Sequence, residues 1–268
     1  MTLAKEILLI SQFLMKPNEM KNNTKIILIT ATAALMLANC KNSINMPLDH
    51  AKLADGYVNS STLDLGHVLV WDTESDIVRG IYTISPDKVP SASVVSGSKY
   101  ALKKSSVSKD TDLQVSAETA VSEAIKAEAK AKFVNSTDVS LTNYRRKEYL
   151  DARYVLNSPE MRVWREELAE QWSEPKYRFI FVSEIVEGDK VELKKASTTS
   201  LGADANIIEV GNYKFDVSYG KKAEALIDAQ GGVIVIKPKV YQLRISGDSL
   251  RFFDDLGTKF NFQKIEEG

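Results

Sequence analysis

The chain is 268 residues long, 44% hydrophobic and 26% charged, with 35 Lys and Arg against 36 Asp and Glu and a formal net charge of −1. A chain of this size makes one or two domains with a sizeable core, which excludes intrinsic disorder and a multi-span membrane protein. The near-zero charge leaves no electrostatic footprint for nucleic acid. One Cys and two His exclude a disulfide scaffold and a Cys-rich metal centre, which need several thiolates.

From Met20 the sequence reads MKNNTKIILITATAALMLANC. Lys21 and Lys25 form a short positive region, Ile26 to Leu37 an apolar run, and Leu37-Ala38-Asn39 leads into Cys40, the layout of a secretory signal peptide. The run is too short for a membrane-spanning helix of ~20 apolar residues. Met20 is the expected start, and residues 1–39 are expected to be an extension plus signal, outside the folded domain. They hold four Lys and two Glu, so their removal leaves a net charge of −3.

After Cys40, the polar segment Lys41 to Thr62 reads as a tether, and a single domain is expected over residues 63–268. Leu63 to Trp71 and Ile77 to Ile84 predict two strands around the acidic turn Asp72 to Asp76, followed by a Ser- and Lys-rich linker from Ser91 to Lys109. From Leu113 to Leu141 the odd positions are predominantly apolar, including Leu113, Val115, Val121, Ile125, Ala129 and Phe133, while Lys126, Glu128, Lys130 and Lys132 lie between them. That period of two argues an amphipathic strand or hairpin. The Ala, Glu and Lys content of Ala117 to Lys132 argues a helix instead. The strand is preferred, because Ala gives a helix only a thin apolar face.

Helices are predicted over Tyr144 to Leu156 and after Ser158-Pro159, where Met161, Trp164, Leu168 and Trp172 share one stripe that reads as a core face. The period then returns to two. Tyr177 to Val186 and Lys190 to Thr198 predict a hairpin around Glu187-Gly188-Asp189, and Ile207 to Val210 and Tyr213 to Tyr219 another around Gly211-Asn212. Lys221 to Gln230 reads as a short helix capped by Gly231. Strands over Val233 to Ile245 and Leu250 to Phe253 complete an α+β class, a twisted antiparallel sheet with amphipathic hairpins and two to three helices.

Few residues offer chemistry. His50 falls in the tether and His67 in a strand, where a satisfied structural role is preferred. The chain has no G-x-S-x-G elbow, phosphate loop or G-x-G-x-x-G, so no catalytic residue, cofactor or metal is assigned and a non-enzymatic protein is expected. Asp72, Glu74 and Asp76 lack the glycine and distal acid of a calcium loop and read as a solvated turn. The basic residues Lys103, Lys104, Arg145 and Arg146 are candidates for anionic lipid headgroups, at ~1 kcal/mol per charge; solvated surface is the alternative.

Two resemblances sharpen this. Leu37 to Cys40 resembles a bacterial lipobox, with Asn39 standing where a smaller residue is usual; an ordinary signal peptide with a stray cysteine is the alternative. The lipobox implies a diacylglyceryl group on Cys40 and a bacterial cell-envelope protein, anchored at the outer membrane, with that membrane as partner. The order of elements from about Leu65 to Ile245 resembles the pore-forming N-terminal domain of gasdermins: an early strand pair, the alternating segment Gln114 to Asn143 ending Val139-Ser140-Leu141, helices Tyr144 to Trp172, the hairpin Tyr177 to Val186 with Val191-Glu192-Leu193, and a final alternating strand region. The resemblance implies that Leu113 to Leu141 and Tyr177 to Thr198 refold into membrane-inserting hairpins of a homo-oligomeric β-barrel, apolar positions toward lipid. The other function class is a periplasmic or surface lipoprotein acting as a binding module, with Tyr213, Phe215 and Tyr219 packing a sheet.

Overall fold

Short runs of alternating polarity separated by turn residues dominate the sequence after Cys40, and they pair into sheets. A computed structural model describes residues 42–48, 50–59, 63–89, 94–117, 121–196, 206–220, 222, 224–258, 260–262 and 266–267. The expected signal segment and Cys40 lie outside the described residues.

In chain order the elements are β1 (Ser43–Met46), β2 (Lys52–Leu53), β3 (Gly56–Val58), β4 (His67–Asp72), β5 (Ile77–Thr83), β6 (Val94–Ser96), β7 (Tyr100–Ser106), β8 (Gln114–Ser116), α1 (Glu123–Ser136) and β9 (Thr137–Tyr149). Then come α2 (Ala152–Asn157), α3 (Arg162–Trp172), β10 (Tyr177–Glu187), β11 (Lys190–Lys195), β12 (Ile207–Val210), β13 (Tyr213–Tyr219), β14 (Glu224–Asp228), β15 (Val233–Ser246), β16 (Ser249–Asp254) and β17 (Glu266–Glu267). The α+β class stands, with three α-helices among the described residues and a large, mainly antiparallel sheet beside a four-stranded one ordered β12-β13-β1-β8.

The local turn signals place two hairpins as expected, β4–β5, with Asp76 at φ 55°, and β12–β13, with Gly211 at φ 57°; the last two expected strands, β15 and β16, pair as a third, with Gly247 at φ 59°. Elsewhere tertiary pairing overrides local reading. The expected tether contains β1, β2 and β3, and Ile44, Met46 and Val58 are fully buried, because β1 pairs in parallel with β13 across some 170 residues of chain and β3 pairs with β15. The expected linker carries β6 and β7, which pair with β9. The expected helix at Tyr144 continues β9 to Tyr149, and helix begins only at Ala152, where the Asp151 carboxylate accepts from the Tyr154 amide. The expected helix at Lys221 is instead β14, in which Ala225 turns inward against β11 and Leu226 outward.

The largest correction concerns β10 and β11. They do not pair with each other. Both run antiparallel to β9, β11 against residues 137–142 and β10 against residues 145–148, so Gly188-Asp189 is a break within one long strand. The same break recurs across the sheet. On one side of β9 it separates β6 from β7 at residues 97–99; on the other it separates β14 from β15 at residues 229–232, with Gln230 and Gly231 at positive φ. Asn143, at φ 49°, marks it in β9. A crease therefore crosses four strand lines and divides a distal wing, β7-β9-β11-β14, from a proximal one, β6-β9-β10-β15. The Gly97 amide donates to the Arg146 carbonyl (2.8 Å), the Asp189 amide to the Thr142 carbonyl (2.9 Å) and the Gly188 amide to the Gly232 carbonyl (2.9 Å). A Cβ at Gly188 would lie 2.6 Å from Ile234 Cδ1 and 3.1 Å from the Thr142 carbonyl, so a larger residue there would have to displace the Ile234 side chain.

Three apolar clusters hold the fold. The inner face of the distal wing packs with α1 and the four-stranded sheet. On the proximal wing, β4 and β10 are covered on both faces, by α2 and α3 on one and by Tyr57, Phe260 and Phe262 on the other, which accounts for their nearly continuous apolar sequence. Met161 and Leu168 of the predicted stripe are buried there, with Trp164 and Trp172 packed against them. Arg165 is also buried. Its guanidinium donates to the Leu156, Ser158 and Leu250 carbonyls at 2.8–3.0 Å, tying α2, α3 and β16 together. Arg165→Met is expected to leave those carbonyls unsatisfied and to lower unfolding stability by about 3 kcal/mol, read from the urea midpoint.

Candidate functional site

The segment with the expected membrane residues folds as follows. Leu113 and Val115 flank and form β8. Ser122 is the N-cap of α1, its hydroxyl accepting from the Ile125 amide, and Glu123–Lys126 (2.6 Å) and Glu128–Lys132 (3.0 Å) are exposed ion pairs along the helix. The preferred strand over residues 123–136 is thus overturned: capping and helix propensity win locally. The apolar residues nevertheless do not form one helical stripe. Ile125, Ala129 and Phe133 face the core, with Ala129 and Phe133 fully buried, while Ala127 and Ala131 point to the opposite, exposed side. There they line an open groove of about 350 Å³ with Leu113, Val134, Lys109 and Lys130.

All six candidate insertion residues meet in one core. Leu113, Val121, Ala129 and Phe133 are buried in it and Val115 and Ile125 pack against it. Phe133 lies 5.5 Å, centroid to centroid, from the ring of Tyr219, whose hydroxyl is 3.0 Å from Thr137 Oγ1. Burial pushes the Tyr219 phenol up to about 12, so it stays protonated.

The four headgroup candidates are scattered. Lys104 is exposed on β7. Arg145 pairs with Glu187 at 2.5 Å and shares it with Lys147, and Arg146 pairs with Glu184 at 2.7 Å, which Lys237 also reaches. Lys103 turns inward to Asp55, at 2.6 Å, in the turn between β2 and β3.

That last contact is a clip no local pattern could reveal, since its partners are 48 residues apart. Asp55 accepts from both Lys103 and Ser105 of β7, and the Ala54 amide donates to the Ser106 carbonyl, so the N-terminal strands latch the β7 edge of the distal wing. Burial pushes the Asp55 carboxyl up, but the hydrogen bonds from Lys103 and Ser105 and the charges of Lys103 and Lys237 outweigh it and hold it below the usual carboxylate value. A depressed carboxyl contributes stability above its unfolded pKa and loses it as pH falls through its folded one. Wild type should therefore lose stability below about pH 4 more steeply than Asp55→Asn, as thermal unfolding from pH 6 to pH 3 would show.

His67 is satisfied structurally: its Nδ1 accepts from the Asp64 amide, and burial lowers its pKa. His50 stacks on Phe262 at 4.7 Å. A second open groove, of about 650 Å³, lies between α3 and the β15–β16 hairpin, lined by Ala169, Pro175, Leu243, Ile245 and Leu250 among others. Among the described residues no helix is long and apolar enough to cross a membrane, which leaves strands untouched.

No protein-family model matches the chain, and no curated protein matches it. Among solved structures the chain is similar to a bacterial gasdermin from Bradyrhizobium tropiciagri, with 10% identity over 79% of this chain and 86% of that one and a TM-score of 0.31.

Proposed function

We propose that the protein is a non-enzymatic cell-envelope lipoprotein, anchored at the outer membrane through a diacylglyceryl group on Cys40, whose domain perforates membranes in the manner of gasdermin pore-forming domains. The observation that carries this reading is α1. It is a helix in the soluble fold, yet Ile125, Ala127, Ala129, Ala131 and Phe133 all fall on one face only if the backbone is extended. A sequence amphipathic at period two and folded at period 3.6 has a second conformation available, and an apolar surface is the environment that favours it. The strand lines have the length required. β9 alone has 13 residues, against the ~9–11 that a tilted transmembrane strand needs.

The test is dye release from vesicles by the lipidated chain, with the mass of the processed N-terminus recorded beside it. Release with a lipid-modified Cys40 supports both halves. Intact vesicles under a bound, lipidated protein overturn the pore, and a Cys40 without lipid overturns the anchor. The groove beside α3 favours the second reading, a lipoprotein that binds an apolar ligand; that reading predicts membrane association without release.

A further inference from the structure

We infer that the lipid on Cys40 is a short leash, and that it presses one end of the four-stranded sheet, the β12–β13 turn, onto the bilayer. The inference rests on the lipidation proposed above and adds which surface meets the membrane.

The argument is covalent geometry. β1 begins at Ser43 and is anchored by burial: Ile44 and Met46 are fully buried between α1 and the distal wing. Asn42 is fixed as well, because its carbonyl accepts from the Asp216 amide (2.9 Å) and its side-chain amide donates to the Lys214 carbonyl (3.2 Å). Two residues further back is Cys40, which by chain length lies no more than about 7 Å from Asn42. A tether of twenty residues would let the domain drift tens of ångströms; two residues do not.

Direction follows from register. β1 and β13 are parallel, with Ser43 beside Asp216, so the N-terminal end of β1 points toward Lys214 and Tyr213 and the exposed turn Gly211-Asn212. From the level of Asn42 to Asn212 is three residues of strand, roughly 10 Å, about the reach of Cys40 itself. A lipid whose glycerol sits among headgroups therefore brings this turn to headgroup depth. Its chemistry suits that layer: Tyr213 is half-buried, Lys214 is exposed and pairs with Glu209 (3.1 Å), and the Lys132 ammonium of α1 donates to the Glu209 carbonyl (2.9 Å). Docking this end places the bilayer beside the segment proposed to refold, without a separate binding step.

The test uses the full chain with its own signal, lipidated in a bacterial host and reconstituted into vesicles containing brominated phospholipid. With Cys40 blocked by lipid, a bimane fluorophore on Asn212→Cys or on Lys222→Cys reports one site each; Lys222 is exposed beyond the other end of β13, roughly 20 Å away. Quenching at position 212 should exceed that at 222 several-fold. Inserting thirty Gly and Ser residues after Lys41 should abolish the difference while the protein stays bound. Equal quenching at both positions in a lipidated chain, or a difference that survives the insertion, overturns the leash alone. A chain without lipid on Cys40 overturns the anchor and the leash together.

Discussion

Ala131→Lys should leave the soluble protein folded and abolish dye release. Ala131 is exposed on α1, and Lys is nearly as good a helix former as Ala, so the change in unfolding free energy should stay within about 0.5 kcal/mol. In an extended segment the same position shares a face with Ile125, Ala129 and Phe133. A Lys there meets lipid, costing up to about 2–4 kcal/mol per subunit near the membrane midplane. Repeated around an oligomer, that lowers release by orders of magnitude. Glu128→Lys is the control: it too is exposed on α1, where it loses only the exposed pair with Lys132, but on a strand it faces away from lipid. It should release dye at close to the wild-type rate. If the two variants behave alike, the period of two has no functional meaning.

The second large effect falls on the soluble state. Phe133→Ala removes a fully buried ring from the contact of α1 with Tyr219 and the distal wing. The transfer and cavity costs together should be about 3–5 kcal/mol, which for a domain of this size lowers the midpoint of thermal unfolding by roughly 10 °C. Thermal unfolding of the unlipidated domain measures it. A shift of only a degree or two would mean that α1 is held by its caps and ion pairs rather than by its core contact, and the helix would then be a weak store of the proposed insertion residues.

These two variants separate what the sequence makes legible from what it hides. Hairpins closed by their own turn residues, at Asp76 and Gly211, could be read because the determinants lie within a few positions of each other. The break at Gly188-Asp189 carries the same residues as a turn, and nothing local distinguishes a chain that reverses from one that bends and runs on. The difference lies in β9, more than forty residues upstream, which supplies partners on both sides of the break. β1 was hidden for the same reason. Its four residues, SINM, alternate polar and apolar but are too short a run to stand out from the polar segment around them, and its partner β13 lies about 170 residues away. The Asp55–Lys103 clip likewise turns a headgroup candidate into a structural ion pair.

For α1 both signals were present and they conflict. Composition and the Ser122 cap give a helix in the soluble fold, while the alternation of apolar residues remains unexplained by it. Phe133 and Ala129 satisfy the helix; Ala127 and Ala131, exposed on its far side, satisfy only a strand. The proposed membrane activity is the hypothesis that this unused period belongs to a second state.

The most direct test is a spin-label scan of residues 121–133 on vesicle-bound protein, reading collision with oxygen dissolved in the bilayer. The predicted result is accessibility that alternates residue by residue, high at 125, 127, 129, 131 and 133 and low at 126, 128, 130 and 132. A period of 3.6, or no lipid-accessible position in the segment, would contradict it.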